Sequence, residues 1–171
     1  MILFLDFDGV LHPDAAYLIN GKPTLKADGE LFMWAHILID VLATQPGVRI
    51  VLSTSWVREL GFKRACKYLP APIAERVIGA TWHSAMASHP ELINSQHGCN
   101  WWDRVTRYQQ IARYVERAQL QNWIAIDDDD EGWAESARHR LVLTNGERGL
   151  GCSSAILTLR QHFSLGAESQ C

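Results

Sequence analysis

Five short apolar runs punctuate the chain, at residues 2–7, 48–53, 76–80, 122–127 and 139–144. Each has the length and β-branched content of a strand. None alternates apolar and polar residues as a half-wet sheet does, so the pattern predicts strands buried on both faces. Between the runs, apolar residues recur at helical spacing. Leu31, Ala35, Leu38 and Leu42 form one stripe over 29–44, with Asp28 as the expected N-cap and Pro46-Gly47 as the stop. Residues 57–68 read as a shorter, more basic helix ended by Pro70. Tyr108, Ile111, Ala112, Val115 and Ala118 share one face of 104–119, and 153–163 form a last helix before a loose tail at 165–171. Strands alternating with helices imply parallel βαβ units with right-handed crossovers. The expectation is a three-layer, doubly wound α/β fold in which helices cover both faces of a five-stranded parallel sheet. Two stretches fall outside it. Residues 14–25 read as a hairpin, because Asn20-Gly21 favours a type I′ turn. Residues 82–103 read as an irregular insert rich in His, Ser and Trp.

Open α/β sheets bind ligands beyond the carboxyl ends of their strands. The first run ends in Asp6-Phe7-Asp8-Gly9, the second in Ser53-Thr54-Ser55, the fourth in Asp127-Asp128-Asp129-Asp130. Carboxylates gathered on one sheet edge repel one another unless a cation neutralises them. Oxygen donors without clustered Cys or His favour a hard ion, Mg²⁺ first. Such an ion beside hydroxyl donors suits a phosphoryl group. In extended backbone, Asp6 and Asp8 point to the same side, and Gly9 lets the chain turn sharply after them. Taken alone, the DxD triplet reads as a solvated turn and the four acids as a charged loop. Their joint placement at strand ends argues for chemistry.

Composition narrows the classes. Of 171 residues, 47% are hydrophobic and 20% charged, enough for a core and too apolar for a disordered chain. Lys plus Arg number 16 against 19 Asp plus Glu, so a basic nucleic-acid coat is excluded, although Arg58, Lys63, Arg64 and Lys67 form a local basic patch. No apolar run reaches the roughly 18 residues of a membrane span, and no basic region precedes Asp6 as in a signal peptide. The four cysteines form no CxxC pair and read as free thiols. A cytoplasmic protein is expected, with no membrane and no obligate protein partner. His83, His89, His97 and Cys99 match no closed zinc pattern. Trp82, Trp101 and Trp102 read more simply as pins for the insert than as a base-stacking platform.

Asp6-Phe7-Asp8-Gly9-Val10-Leu11 resembles the DxDG(V/T)L signature of the haloacid dehalogenase (HAD) superfamily, and Asp127-Asp128 resembles its fourth motif. A closer likeness, over roughly residues 1–145, is to the HAD domain of Swiss Army Knife RNA-repair proteins. It rests on Leu11-His12-Pro13, Leu52-Ser53-Thr54-Ser55-Trp56, Val77-Ile78-Gly79-Ala80-Thr81, and Leu143-Thr144 with Gly149-Leu150. The resemblance implies a single HAD-like domain over 1–164 with sheet order 5-4-1-2-3, essentially capless apart from a 14–25 flap. By the family mechanism Asp6 is the nucleophile that becomes an aspartyl-phosphate, and Asp8 is the general acid and base. Asp6, the backbone carbonyl of Asp8, and Asp127 or Asp128 are the implied Mg²⁺ ligands. Thr54 is the implied phosphate donor, with Ser53 as its neighbour and rival. Arg107 is the implied basic residue, with Arg104 as the competing choice and an Arg where the superfamily usually has Lys.

The resulting expectation is a Mg²⁺-dependent phosphatase. Residues 14–25 and 82–103 are too short for a cap domain. An open site suits a terminal phosphate on a large substrate such as a polynucleotide end. The alternatives are a nucleotidase or other small-molecule phosphatase, and a non-catalytic HAD-like binding module.

Overall fold

The computed structural model describes residues 1–83 and 101–168, so the 82–103 insert lies largely outside the described residues. The main sheet is parallel, in the order β5-β4-β1-β6-β7, from β1 (Ile2–Leu5), β4 (Arg49–Leu52), β5 (Val77–Ala80), β6 (Trp123–Asp127) and β7 (Leu141–Leu143). The hairpin strands β2 (Ala16–Ile19) and β3 (Lys22–Leu25) take the second and third labels. Labels therefore differ from the expected 5-4-1-2-3; counted over the sheet's own strands, the observed order reads the same from the other edge. In the hairpin, Asn20 and Gly21 both have positive φ, at 50° and 74°, as a type I′ turn requires.

Residues of the central strands alternate between two cores. Leu3, Leu5, Ile50, Leu52, Ile124 and Ile126 pack on one face, beneath α1 (Ala35–Ala43), α2 (Ser55–Leu60), α3 (Phe62–Tyr68) and α6 (Ser153–Glu168). Phe4, Val51 and Ala125 pack on the other with Ile111 of α5 (Arg107–Ala118), Trp123 and Trp133. Leu3, Phe4 and Leu5 are fully buried, and truncating such a side chain to Ala typically costs about 2–5 kcal/mol. This two-sided burial explains the unbroken apolar runs.

Helix boundaries depart from the expected ones. α1 starts at Ala35, and Asp28 is not its cap. Backbone bonds from Trp34 N to Leu11 O and from Phe32 N to His12 hold the preceding turn against the first motif, with Phe32 at φ 63°. The expected 57–68 helix is two, broken at Gly61 with φ 83°, and a short α4 (Ala71–Ala74) follows Pro70. The tail expected from 165 continues α6 to Glu168, because Gly166 is tolerated in a helix and no proline stops it. Among the described residues, no helix is long and apolar enough to cross a membrane.

Candidate active site

β1 lies between β4 and β6, and the chain leaves it in opposite directions across the sheet to reach them. A topological switch point of this kind opens a crevice at the strands' carboxyl ends. Asp6 follows β1, Ser53 and Thr54 follow β4, and Asp127 ends β6. Backbone bonds from Asp6 N to Ile126 O (3.2 Å) and from Ser53 N to Leu5 O (2.8 Å) tie the three ends together.

Asp6 is 3% exposed. Its Oδ1 accepts from the Phe7 N–H at 2.7 Å, its Oδ2 accepts from Arg107 Nη2 at 3.0 Å, and the Thr54 hydroxyl donates to the same carboxylate. Burial raises the Asp6 pKa from 3.8 to about 6; Arg107 opposes this rise, and Asp8 adds to it. Asp127 is fully buried and held well above the carboxylate range, first by burial and then by repulsion from Asp6. Arg107 Nε stands 3.1 Å from Asp127 Oδ2, but the pair is not aligned as a hydrogen bond, and neither atom has another hydrogen-bond partner among the described residues. For Arg107, burial favours loss of the charge. The pull of Asp6, Asp127, Asp129 and Asp128 outweighs it and secures the guanidinium.

Asp128 is half-buried and raised to about 7, by burial and then by Asp6 and Asp14. It can approach the first motif because residue 9 is glycine. A Cβ there would overlap the Asp128 carboxylate, and the φ of +65° disfavours side chains in any case. One oxygen each from Asp6, Asp127 and Asp128 lie within 4.8 Å of one another. Three carboxylates face one guanidinium, the donors are all oxygen, and Asp127 Oδ2 lacks a donor. This set fits a hard divalent cation.

Asp8 stands apart from that cluster. Trp56 Nε1 donates to its Oδ2 at 2.9 Å, and His12 Nε2 lies 3.1 Å from its Oδ1. The Phe32 backbone N–H faces His12 Nδ1 at 3.4 Å, which assigns the ring proton to Nε2. His12 is fully buried, and edge-to-face contacts with Phe32 and Trp56, at 5.0 and 5.7 Å, fix its ring. The sequence reading gave His12 and Trp56 no role.

The other candidates sort by position. Thr54 caps α2, accepting from Trp56 N at 3.4 Å, while the Ser53 hydroxyl is buried without a hydrogen-bond partner among the described residues. Arg107 makes the ion pairs to Asp6 and Asp127, whereas Arg104 lies in a 3-10 turn, Trp101–Arg104. Thr106 and Gln109 form a reciprocal capping box that starts α5 at Arg107. Asp130 pairs with Arg138 at the surface. His89, His97 and Cys99 lie outside the described residues.

Compared with known proteins, residues 2–155 match the family described as the HAD domain in Swiss Army Knife RNA repair proteins. Neither the curated proteins nor the solved structures return a match. With the family match spanning nearly the whole chain, and the first-motif acids meeting the 127–128 pair at the sheet's switch point, the chain belongs to this family of HAD domains.

Proposed function

We propose that the domain hydrolyses phosphate monoesters through a covalent phosphate on Asp6, taking terminal phosphates from polynucleotides. One observation carries the reading. Asp6 is buried against Arg107 at 3.0 Å, beside two further carboxylates, with a second acid two residues along. The family's association with RNA repair supports the polynucleotide end.

In the first step an Asp6 oxygen attacks phosphorus. The bond from phosphorus to the ester oxygen breaks, and Asp8 gives that oxygen its proton. In the second, a water oxygen attacks the same phosphorus. Asp8 takes the water's proton, the Asp6–phosphorus bond breaks, and inorganic phosphate leaves. Arg107 offsets the charge that Asp6 and the phosphoryl oxygens share, and the Thr54 hydroxyl donates to a phosphoryl oxygen. A cation such as Mg²⁺, held by Asp6, Asp127, Asp128 and the Asp8 backbone carbonyl, would neutralise phosphoryl charge.

The test is a panel of 5′- and 3′-phosphorylated oligonucleotides, mononucleotides and simple phosphate esters, with EDTA and with Mg²⁺ restored. Release of phosphate that EDTA abolishes and Mg²⁺ restores is expected. A Mg²⁺-loaded protein that releases no phosphate from any ester refutes the reading.

A further inference from the structure

Beside Asp8 the hairpin stands off α2, leaving a cleft of about 340 Å³. Tyr17, Leu18 and Pro23 of the hairpin form one wall, and Trp56 and Leu60 of α2 form the other. Asp8 lies at one end. Its Oδ2 is bound to the Trp56 indole that also lines the cleft. Tyr17 and Leu18 are 58% and 47% exposed, an unusual outlay of apolar surface on a two-stranded hairpin. The formal charges in the lining are both carboxylates, Asp8 and Glu59.

If Asp8 protonates the departing oxygen, the group attached to that oxygen extends from Asp8 into whatever space adjoins it. Here that space is apolar, aromatic-walled and acidic. A leaving group carrying further phosphate next to the scissile bond would meet Glu59 without a cation in the described lining. An uncharged ring would bury its faces against Tyr17 and Trp56. Resting on the phosphohydrolase reading, we infer that the cleft between the hairpin and α2 is the leaving-group subsite and selects esters bearing an uncharged ring beside the scissile phosphate. A free nucleoside monophosphate and the last nucleoside of a polynucleotide both offer that chemistry.

The experiment compares kcat/KM for benzyl and ethyl phosphate, two alkyl esters of similar leaving-group acidity, and for pyrophosphate, in the Mg²⁺-loaded full chain. Isothermal titration with benzylphosphonate and ethylphosphonate gives a readout independent of turnover. Benzyl phosphate is expected to lead by at least about tenfold, as one stacked ring side is worth roughly 1–3 kcal/mol. Tyr17→Ala should erase most of that lead and leave ethyl phosphate turnover unchanged. Glu59→Lys should raise pyrophosphate turnover, which guards against a hairpin that merely unfolds in the Tyr17 variant. An adenosine monophosphate arm beside the same nucleotide at an oligonucleotide end tells which source supplies the ring. Equal rates and equal phosphonate affinities, unmoved by Tyr17→Ala, overturn the subsite while leaving the phosphatase standing. Hydrolysis of none of these esters overturns both.

Discussion

The acid cluster makes the metal-free protein sensitive to pH in a direction opposite to ordinary salt-bridged carboxylates. Asp6 titrates at about 6 in the folded chain against 3.8 in the unfolded one. A raised folded pKa means that the folded state holds a proton which the unfolded state has released. The stabilisation is complete below about pH 3.8, is lost as pH rises toward 6, and is gone above it. The difference of about two pH units is worth ~3 kcal/mol at 1.36 kcal/mol per unit. Asp128, raised to about 7, moves the same way with a smaller contribution, because water screens its exposed side. For a chain of this size, ~3 kcal/mol corresponds to about 6–12 °C in Tm. The assay is a melting series from pH 4 to 8 in EDTA, on wild type and Asp6→Asn. Wild type should lose about that much Tm relative to the variant across the range. The variant also relieves Asp127 and Asp128, whose pKa values Asp6 raises. Mg²⁺ should restore far more Tm near pH 8 than near pH 5, since it binds the ionised cluster. Parallel slopes for the two proteins, with the same Mg²⁺ increment at both pH values, would refute the reasoning.

Three further outcomes follow from the same geometry. Asp6→Asn should abolish turnover on every ester, whereas Asp8→Asn should lose roughly 10²–10⁴-fold on alkyl phosphates and less on p-nitrophenyl phosphate in the first step, because that leaving group needs little protonation; single-turnover kinetics separate the two. His12→Ala removes one of the two donors on Asp8 and should depress alkyl phosphate turnover more than aryl, with His12→Gln recovering part of it. Gly9→Ala should weaken Mg²⁺ binding measured by calorimetry and lower Tm, since its Cβ displaces the Asp128 carboxylate and its φ is +65°.

What the sequence made legible follows from how local each cause is. The five strands show as apolar runs because both of their faces are buried, and Asp6 and Asp127 show as acids that close those runs. The start of α1 did not show, because it is set by bonds from 32 and 34 back to His12 and Leu11, a contact between distant segments. Arg107 was readable over Arg104 from Thr106 and Gln109, whose capping box makes Arg107 the first helical residue. The Asp8 clamp was not readable. Trp56 stands 48 residues from Asp8 in sequence, and nothing local marks an indole N–H as a carboxylate's partner.

The two acids of the first motif receive opposite surroundings from a single local device. Phe7, between them, is fully buried in the core cluster of Leu3 and Leu5, and Gly9 turns the chain immediately after Asp8. Asp6 is thereby held among Arg107, Asp127 and Asp128, where its charge is compensated. Asp8 is delivered to His12 and Trp56, where each oxygen has one donor and neither donor is a Lys or Arg. A nucleophile must stay ionised as it meets an anionic phosphoryl group, which calls for fixed positive charge nearby. A group that gives a proton in one step and takes one in the next must not be pinned to either state by a permanent cation. On the proposed mechanism, the roles of Asp6 and Asp8 are therefore assigned by what surrounds each carboxyl. Exchanging those surroundings should disable the protein more thoroughly than exchanging the acids for glutamates.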